Sequence, residues 1–207
     1  MQISVAFDFR CGYSYKAARF LRALEKAGED VQVDWRPFSL EQVNEEHGEG
    51  LWLWEHPEIE TGSFLGLAAA LWVKQKAPGA FPAFLWRAFG VMHDDGRKID
   101  RDTIRSIANE AGADVPGLEA AIDNGDARAL AANEYFDLQR QGVFGTPTFF
   151  FPGRDGVYVR LRGQWKDDAH RKRVWNQIQA LAAENIVGEL KRIHPTDPPP
   201  VIANIPL

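Results

Sequence analysis

Cys11 is the only cysteine in 207 residues, and it sits in the stretch Asp8-Phe9-Arg10-Cys11-Gly12-Tyr13-Ser14-Tyr15. A thiolate is a strong nucleophile, and it forms more readily where positive charge or unpaired backbone N–H groups surround it. Arg10 adds positive charge if its side chain turns inward. Ser14, three residues on, is placed to donate a hydrogen bond to the sulfur but has no thiol with which to close a disulfide. A lone cysteine is often only a small buried apolar residue. Here its placement favours a reactive thiol.

That placement follows from the periodicity on either side. Ile3, Val5, Phe7 and Phe9 alternate as a strand does, whereas Ala17, Phe20, Leu21 and Leu24 recur with helical spacing. Cys11 therefore falls at a helix N-terminus, where the unpaired N–H groups of the first turn and the positive end of the dipole favour an anion.

A second chemical element lies far downstream, at Gly142-Val143-Phe144-Gly145-Thr146-Pro147-Thr148-Phe149. Proline suits a buried strand only at its first residue or in a bend. The sequence leaves two geometries open. In one, Pro147 is trans and simply starts a strand. In the other, the Thr146–Pro147 bond is cis and the Thr146 backbone is left to bond an extended ligand.

Between these two elements, Gly28 stops the first helix, and Val31, Val33 and Trp35 alternate as a second strand ending at Pro37. Strands joined by one crossover helix are expected to be parallel. From about Leu40 to Gln141 helical patterns take over, with breaks at Gly62, Pro78-Gly79, Asp94 to Gly96, Gly112 to Pro116 and Asn124-Gly125, predicting four or five helices. So long a block is an inserted helical subdomain rather than a loop. Strand character returns at Thr148 to Phe151. A turn at Pro152 to Gly156 and the alternation Val157, Val159, Leu161 then predict an antiparallel hairpin. A last helix carries Val174, Ile178 and Leu181 as its apolar stripe, with Arg171, Lys172 and Arg173 as a solvated face. Pro195 to Leu207 reads as an extended tail. The expected division is 1–39 with 142–192 as one domain, 40–141 as the insert and 193–207 as the tail.

Composition narrows the function classes. There are 24 basic and 29 acidic side chains, a net charge of -5, so no clustered basic excess points to nucleic acid. No apolar run is long enough for a bilayer, and the most apolar stretch, Phe64 to Val73, ends at Lys74. The N-terminal residues do not read as a signal peptide, which with a single cysteine leads to the expectation of a cytoplasmic protein without a disulfide framework. His47, His56, His93, His170 and His194 lack paired ligand spacing; they read as surface or capping residues, and no metal site is expected. Glu41, Glu45, Glu46 and Glu49 read as a solvated helix face. Trp52, Trp54, Trp72, Trp86, Phe81, Phe84 and Phe89 read as core before they read as a substrate groove.

The thiol turn between first strand and first helix, the long helical insertion and Gly-Thr-Pro-Thr before a ββα end resemble the DsbA-like branch of the thioredoxin superfamily, over essentially the whole chain. The resemblance implies an α/β thioredoxin fold, βαβ…ββα, with a large all-helical insertion. It also implies a nucleophilic role for Cys11 beside a cis Pro147. Those relatives usually carry Cys-x-x-Cys, and here the fourth position is Ser14.

Residues 8–15 and 142–145 are also similar to 2-hydroxychromene-2-carboxylate isomerases and kappa-class glutathione transferases. Their turn is Ser-Pro-Tyr-Ser, with the first Ser activating glutathione; Cys11 and Gly12 replace its first two residues. Gly163-Gln164 echoes the Gly-Ser or Gly-Gln of those enzymes, but Trp165 stands where an acidic ligand for the glutathione amino group is expected.

The leading expectation is a monothiol thiol-disulfide oxidoreductase with Cys11 and Ser14 as catalytic residues. Arg10, Gly12, Tyr13, Thr146, Pro147 and Gln164 are the expected substrate- or thiol-binding residues. No tightly bound cofactor is expected, and glutathione or mycothiol would serve as co-substrate to a small thiol- or disulfide-containing partner. The alternatives are a glutathione- or mycothiol-dependent transferase or isomerase and a non-catalytic peptide-binding module. The oligomeric state stays open, a homodimer included.

Overall fold

The computed structural model describes residues 1–184 and 186–188. In order, they form β1 (Gln2–Phe7), α1 (Gly12–Lys26), β2 (Gln32–Pro37), α2 (Leu40–Val43), α3 (Gly62–Lys76), α4 (Phe81–His93), α5 (Arg101–Ala111), α6 (Val115–Asp123), α7 (Asp126–Arg140), β3 (Thr148–Phe150), β4 (Gly156–Tyr158) and α8 (Asp168–Ala182). The strands make one sheet in the order β2-β1-β3-β4. β1 runs parallel to β2, while β3 is antiparallel to both β1 and β4.

This topology brings distant residues together. Ala6 pairs with Thr148, so continuing the antiparallel register sets Phe7 opposite Pro147 and carries the chain beyond β1 towards Thr146. The end of the first strand and the start of the third thus share one edge of the molecule, at the carboxyl ends of the parallel strands. In α/β sheets that is the usual place for a ligand.

The two faces of β1 are covered differently. Ile3, Val5 and Phe7 enter the main apolar core with α1, α8 and most of the helical region, whereas Ala6 joins Phe38, Tyr135, Leu138 and Val143 on the opposite face. Phe7, Phe9 and Phe89 pack within 5.1 to 5.5 Å of one another, which fixes α4 against the end of β1. Such ring pairs each contribute about 0.5–1.5 kcal/mol beyond the area they bury. The tryptophans and phenylalanines of the helical region serve packing: Phe84 and Phe89 are buried, and Trp52 stacks on Trp54 at 5.1 Å.

Several local expectations change. The helical region has six helices rather than four or five, because the single turn α2 and both halves of the 101–123 stretch fold separately. Gly62 begins α3 instead of breaking a helix: Thr61 caps the Phe64 N–H, and a Cβ on Gly62 would lie 1.6 Å from the Ile99 carbonyl oxygen. Arg171 is not solvated. It is buried, donates to the Ala23 carbonyl and lies over the Trp165 ring, so the inner face of α8 is Arg171, Trp175, Ile178 and Ala182, with Leu181 exposed. Glu41 is likewise buried, accepting from Thr61 and bonded to His47, because α2 is short and turns its carboxylate inward. Arg128 spends its donors on the carbonyls of Leu53, His56, Pro57 and Ile59, stapling that irregular segment to α7. The expected tail, 193–207, lies outside the described residues.

Candidate active site

Cys11 is the N-cap of α1, with extended backbone, and the Tyr15 N–H donates to its carbonyl at 3.1 Å. Nothing acidic occupies the first turn, and the Cys11 side chain caps no helical N–H. Instead, Sγ donates to the Thr146 carbonyl oxygen at 3.4 Å, across 135 residues of sequence. The Thr146–Pro147 peptide is cis. The two chemical elements of the sequence therefore meet at one sulfur atom, which is partly exposed.

The turn that holds Cys11 is shaped by Asp8. The Asp8 carbonyl accepts the Cys11 N–H at 3.1 Å, and its carboxylate accepts the Arg10 N–H at 2.9 Å, the self-bonded turn that aspartate favours. The same carboxylate takes the Leu40 N–H at 2.8 Å and the Ser63 hydroxyl at 3.2 Å. One side chain thus ties the thiol turn to the start of α2 and to α3. Asp8 is fully buried, and burial pushes its pKa from the ordinary 3.8 up to about 6, against the opposing pull of the N–H donors and Arg10.

A second clamp comes from α4. His93 bonds the Phe9 carbonyl at 2.7 Å and stacks on Tyr15 at 4.9 Å with only 7° between the rings. The Tyr15 hydroxyl donates to Asp94 at 2.6 Å. His93, read from sequence as a surface or capping residue, instead packs behind the thiol turn; a Cβ on Gly12 would lie 4.0 Å from its ring.

The expected site residues distribute unevenly. Cys11, Gly12, Tyr13, Thr146 and Pro147 come together. Arg10 is beside them but is spent on Glu46, which it grips through both terminal nitrogens, and that contact holds the Glu46 carboxyl below its ordinary range. Ser14 is fully buried and its hydroxyl faces away from the expected role: it accepts the Asp8 N–H at 3.4 Å, and no hydrogen bond among the described residues joins it to Cys11. The hydroxyl does reach back toward the helix start, but to the backbone N–H of Asp8 rather than to the sulfur. Gln164 is exposed and shows no hydrogen bond to the turn, while Trp165 packs on Phe20. Missed from sequence were Asp8, His93 and Tyr15, whose bonds shape the thiol turn. For Asp8 the signal was present, an aspartate two residues before a turn amide.

The family comparison fits this geometry. Residues 2–179 match the model of the DSBA-like thioredoxin domain. The chain belongs to that family. Similar solved structures include a probable DsbA oxidoreductase from Streptomyces coelicolor, 19% identical with 94% of each chain covered and a TM-score of 0.63. A thioredoxin-like oxidoreductase from Silicibacter pomeroyi is 20% identical over 86% of each chain, with a TM-score of 0.58. The cytosolic disulfide reductase DsbM from Pseudomonas aeruginosa is 21% identical, covering 87% of this chain and 100% of that one, with a TM-score of 0.54. At these identities the likeness is one of fold. Among curated proteins, none matches the chain. No helix among the described residues of this DsbA-like chain is long and apolar enough to cross a membrane, and no cluster there could hold a metal ion.

Proposed function

We propose that this DsbA-like protein is a monothiol thiol-disulfide oxidoreductase in which Cys11 is the exchanging nucleophile. The observation that carries this reading is the position of Sγ, partly exposed at the head of α1 and against the Thr146 carbonyl beside Pro147. With no capping side chain and no acidic residue in the first turn, the N–H groups there are available to a thiolate.

The exchange balances with one external thiol. The Cys11 thiolate attacks one sulfur of a disulfide R–S–S–R′; a bond from Cys11 to the R sulfur forms, the S–S bond breaks, and R′–S⁻ leaves and takes a proton from water. Ser14 has no thiol with which to resolve this mixed disulfide, so a low-molecular-weight thiol deprotonates and attacks the R sulfur. That step releases the Cys11 thiolate and a new disulfide. Thr146 and Pro147 position the bound group alongside the sulfur, in the manner of strand addition. Asp8 and His93 are positioning residues acting through the turn. A cycle ending on a small thiol suits a reducing compartment such as the cytoplasm.

Alkylation of Cys11 with iodoacetamide tests the reading. It should abolish turnover of a small disulfide in the presence of glutathione. Exchange at an undiminished rate after complete alkylation, verified by intact mass, contradicts it.

A further inference from the structure

Two arginines flank the Cys11 turn, and they are in opposite states. Arg10 is neutralised by Glu46. Arg160 has no carboxylate partner among the described residues. Its guanidinium lies 5.2 Å from the centroid of Tyr13 and 5.0 Å from that of Tyr158, and its Nε donates to the Tyr158 hydroxyl. Arg36, Arg87, Arg101, Arg105 and Arg140 pair with acids, whereas Arg160, like Arg22 over Trp86, is held against aromatic rings instead.

The sheet explains its place. Thr148 pairs with Tyr158, and the Val159 N–H donates to the Pro147 carbonyl at 3.1 Å, so the antiparallel register continues past β4 and sets Arg160 opposite Thr146. Thr146 is the residue whose carbonyl receives the Cys11 sulfur. Tyr158 and Arg160, two apart, share one face of the strand. A Cβ on Gly145 would come within 3.3 Å of the Tyr158 ring, so a larger residue there would crowd that ring. Phe144 packs on Tyr158 at 5.1 Å yet is 67% exposed, the most exposed aromatic at this edge and a surface for apolar contact. Burial pushes the Tyr158 hydroxyl pKa up, against the pull of Arg160.

We propose that Arg160, carried on the rings of Tyr13 and Tyr158 and flanked by Phe144, is the subsite for the carboxylate of a small thiol or disulfide whose sulfur is presented to Cys11. This rests on the reading of Cys11 as the exchanging nucleophile. A planar guanidinium held at a fixed angle by two rings offers its two outer nitrogens together, the geometry that suits a carboxylate. The subsite favours co-substrates bearing a carboxylate near the thiol, as glutathione does, over thiols without one, as mycothiol is.

The test compares single-turnover reaction of Cys11 with two disulfides, the dianionic aromatic dithiobis-nitrobenzoate and the neutral aromatic dithiodipyridine, in the wild type, Arg160→Gln and Arg160→Lys. The ratio of anionic to neutral rate constants should fall about tenfold in Arg160→Gln, as expected for loss of one close charge pair, and by less in Arg160→Lys, which keeps charge but not the fork. Added salt should lower the ratio in the wild type and not in Arg160→Gln. An unchanged ratio overturns the proposal. A second measurement stands apart from the exchange chemistry: binding of an unreactive methylthio-nitrobenzoate to Cys11→Ser by calorimetry should weaken about tenfold on adding Arg160→Gln. Equal binding overturns the subsite even if exchange proceeds. If the wild type reacts with neither disulfide while binding still depends on Arg160, the exchange reading fails and the subsite stands.

Discussion

The two flanks of Cys11 are built in opposite ways. On the side facing the helical region, the polar groups are tied to one another: Asp8 collects the donors of Arg10, Leu40 and Ser63, His93 holds the Phe9 carbonyl, and Tyr15 holds Asp94. On the side facing β4, Phe144 is exposed and Arg160 has no acid partner among the described residues. One flank fixes the sulfur in space, and the other receives whatever the sulfur reacts with. A closed flank and an open one predict different kinds of damage: loss of stability with loss of activity on the first, change of substrate preference with the fold intact on the second.

The sharpest break of that contrast is Asp8→Ala. It removes the acceptor of two backbone N–H groups and a hydroxyl, and should cost about 2–4 kcal/mol in urea unfolding, since each donor left buried without a partner costs about 1–3 kcal/mol, offset in part by relief of the buried charge.

The ionisation of the same residue gives a pH signature. Its folded pKa of about 6 stands above the unfolded 3.8, so the folded state binds the proton more tightly. The stabilising contribution is complete below pH 3.8 and is lost as pH rises through about 6. The full span is 6 − 3.8, or about 3 kcal/mol at about 1.36 kcal/mol per unit. Subtracting the stability of Asp8→Asn from that of the wild type between pH 3 and 8 should show this fall; a flat difference says that burial does not set the titration.

His93→Ala comes next, losing the Tyr15 stack and the bond to Phe9, for about 1–2 kcal/mol of stability and a slower exchange rate with both charged and neutral disulfides. Equal slowing is the mark of a positioning residue. The smallest effect belongs to Arg10→Gln, whose half-exposed ion pair contributes about 0–1 kcal/mol. It should leave the preference between anionic and neutral disulfides as in the wild type, which is the outcome that separates it from Arg160→Gln.

Much of this was legible in the sequence, for reasons that also mark the limits. The alternation of Ile3, Val5 and Phe7 and the helical spacing of Ala17, Phe20 and Leu24 are local signals, so β1, α1 and the N-cap position of Cys11 could be read directly. That Gly-Thr-Pro-Thr lies beside Cys11 followed from the DsbA-like resemblance, because the proline by itself left two geometries open. Ser14 misled because residue type and spacing say that a hydroxyl is near but not where it points. His93 and Arg160 were illegible for a different reason: each meets the residues around the thiol turn through tertiary packing, His93 by way of α4 and Arg160 by way of strand register, and neither carries a local mark. Arg171 and Glu41 show the same limit, being charged side chains that became internal through bonds to distant backbone or hydroxyl groups.

The central claim is that Cys11 alone carries a disulfide through a covalent intermediate that an outside thiol can discharge. Rapid mixing of the wild type with a small disulfide, followed by acid quench and intact mass, tests it most directly. The account predicts a single adduct on Cys11 that forms before product and disappears when glutathione is added, with none in Cys11→Ser. No adduct in the wild type, or one that added thiol fails to remove, would contradict it.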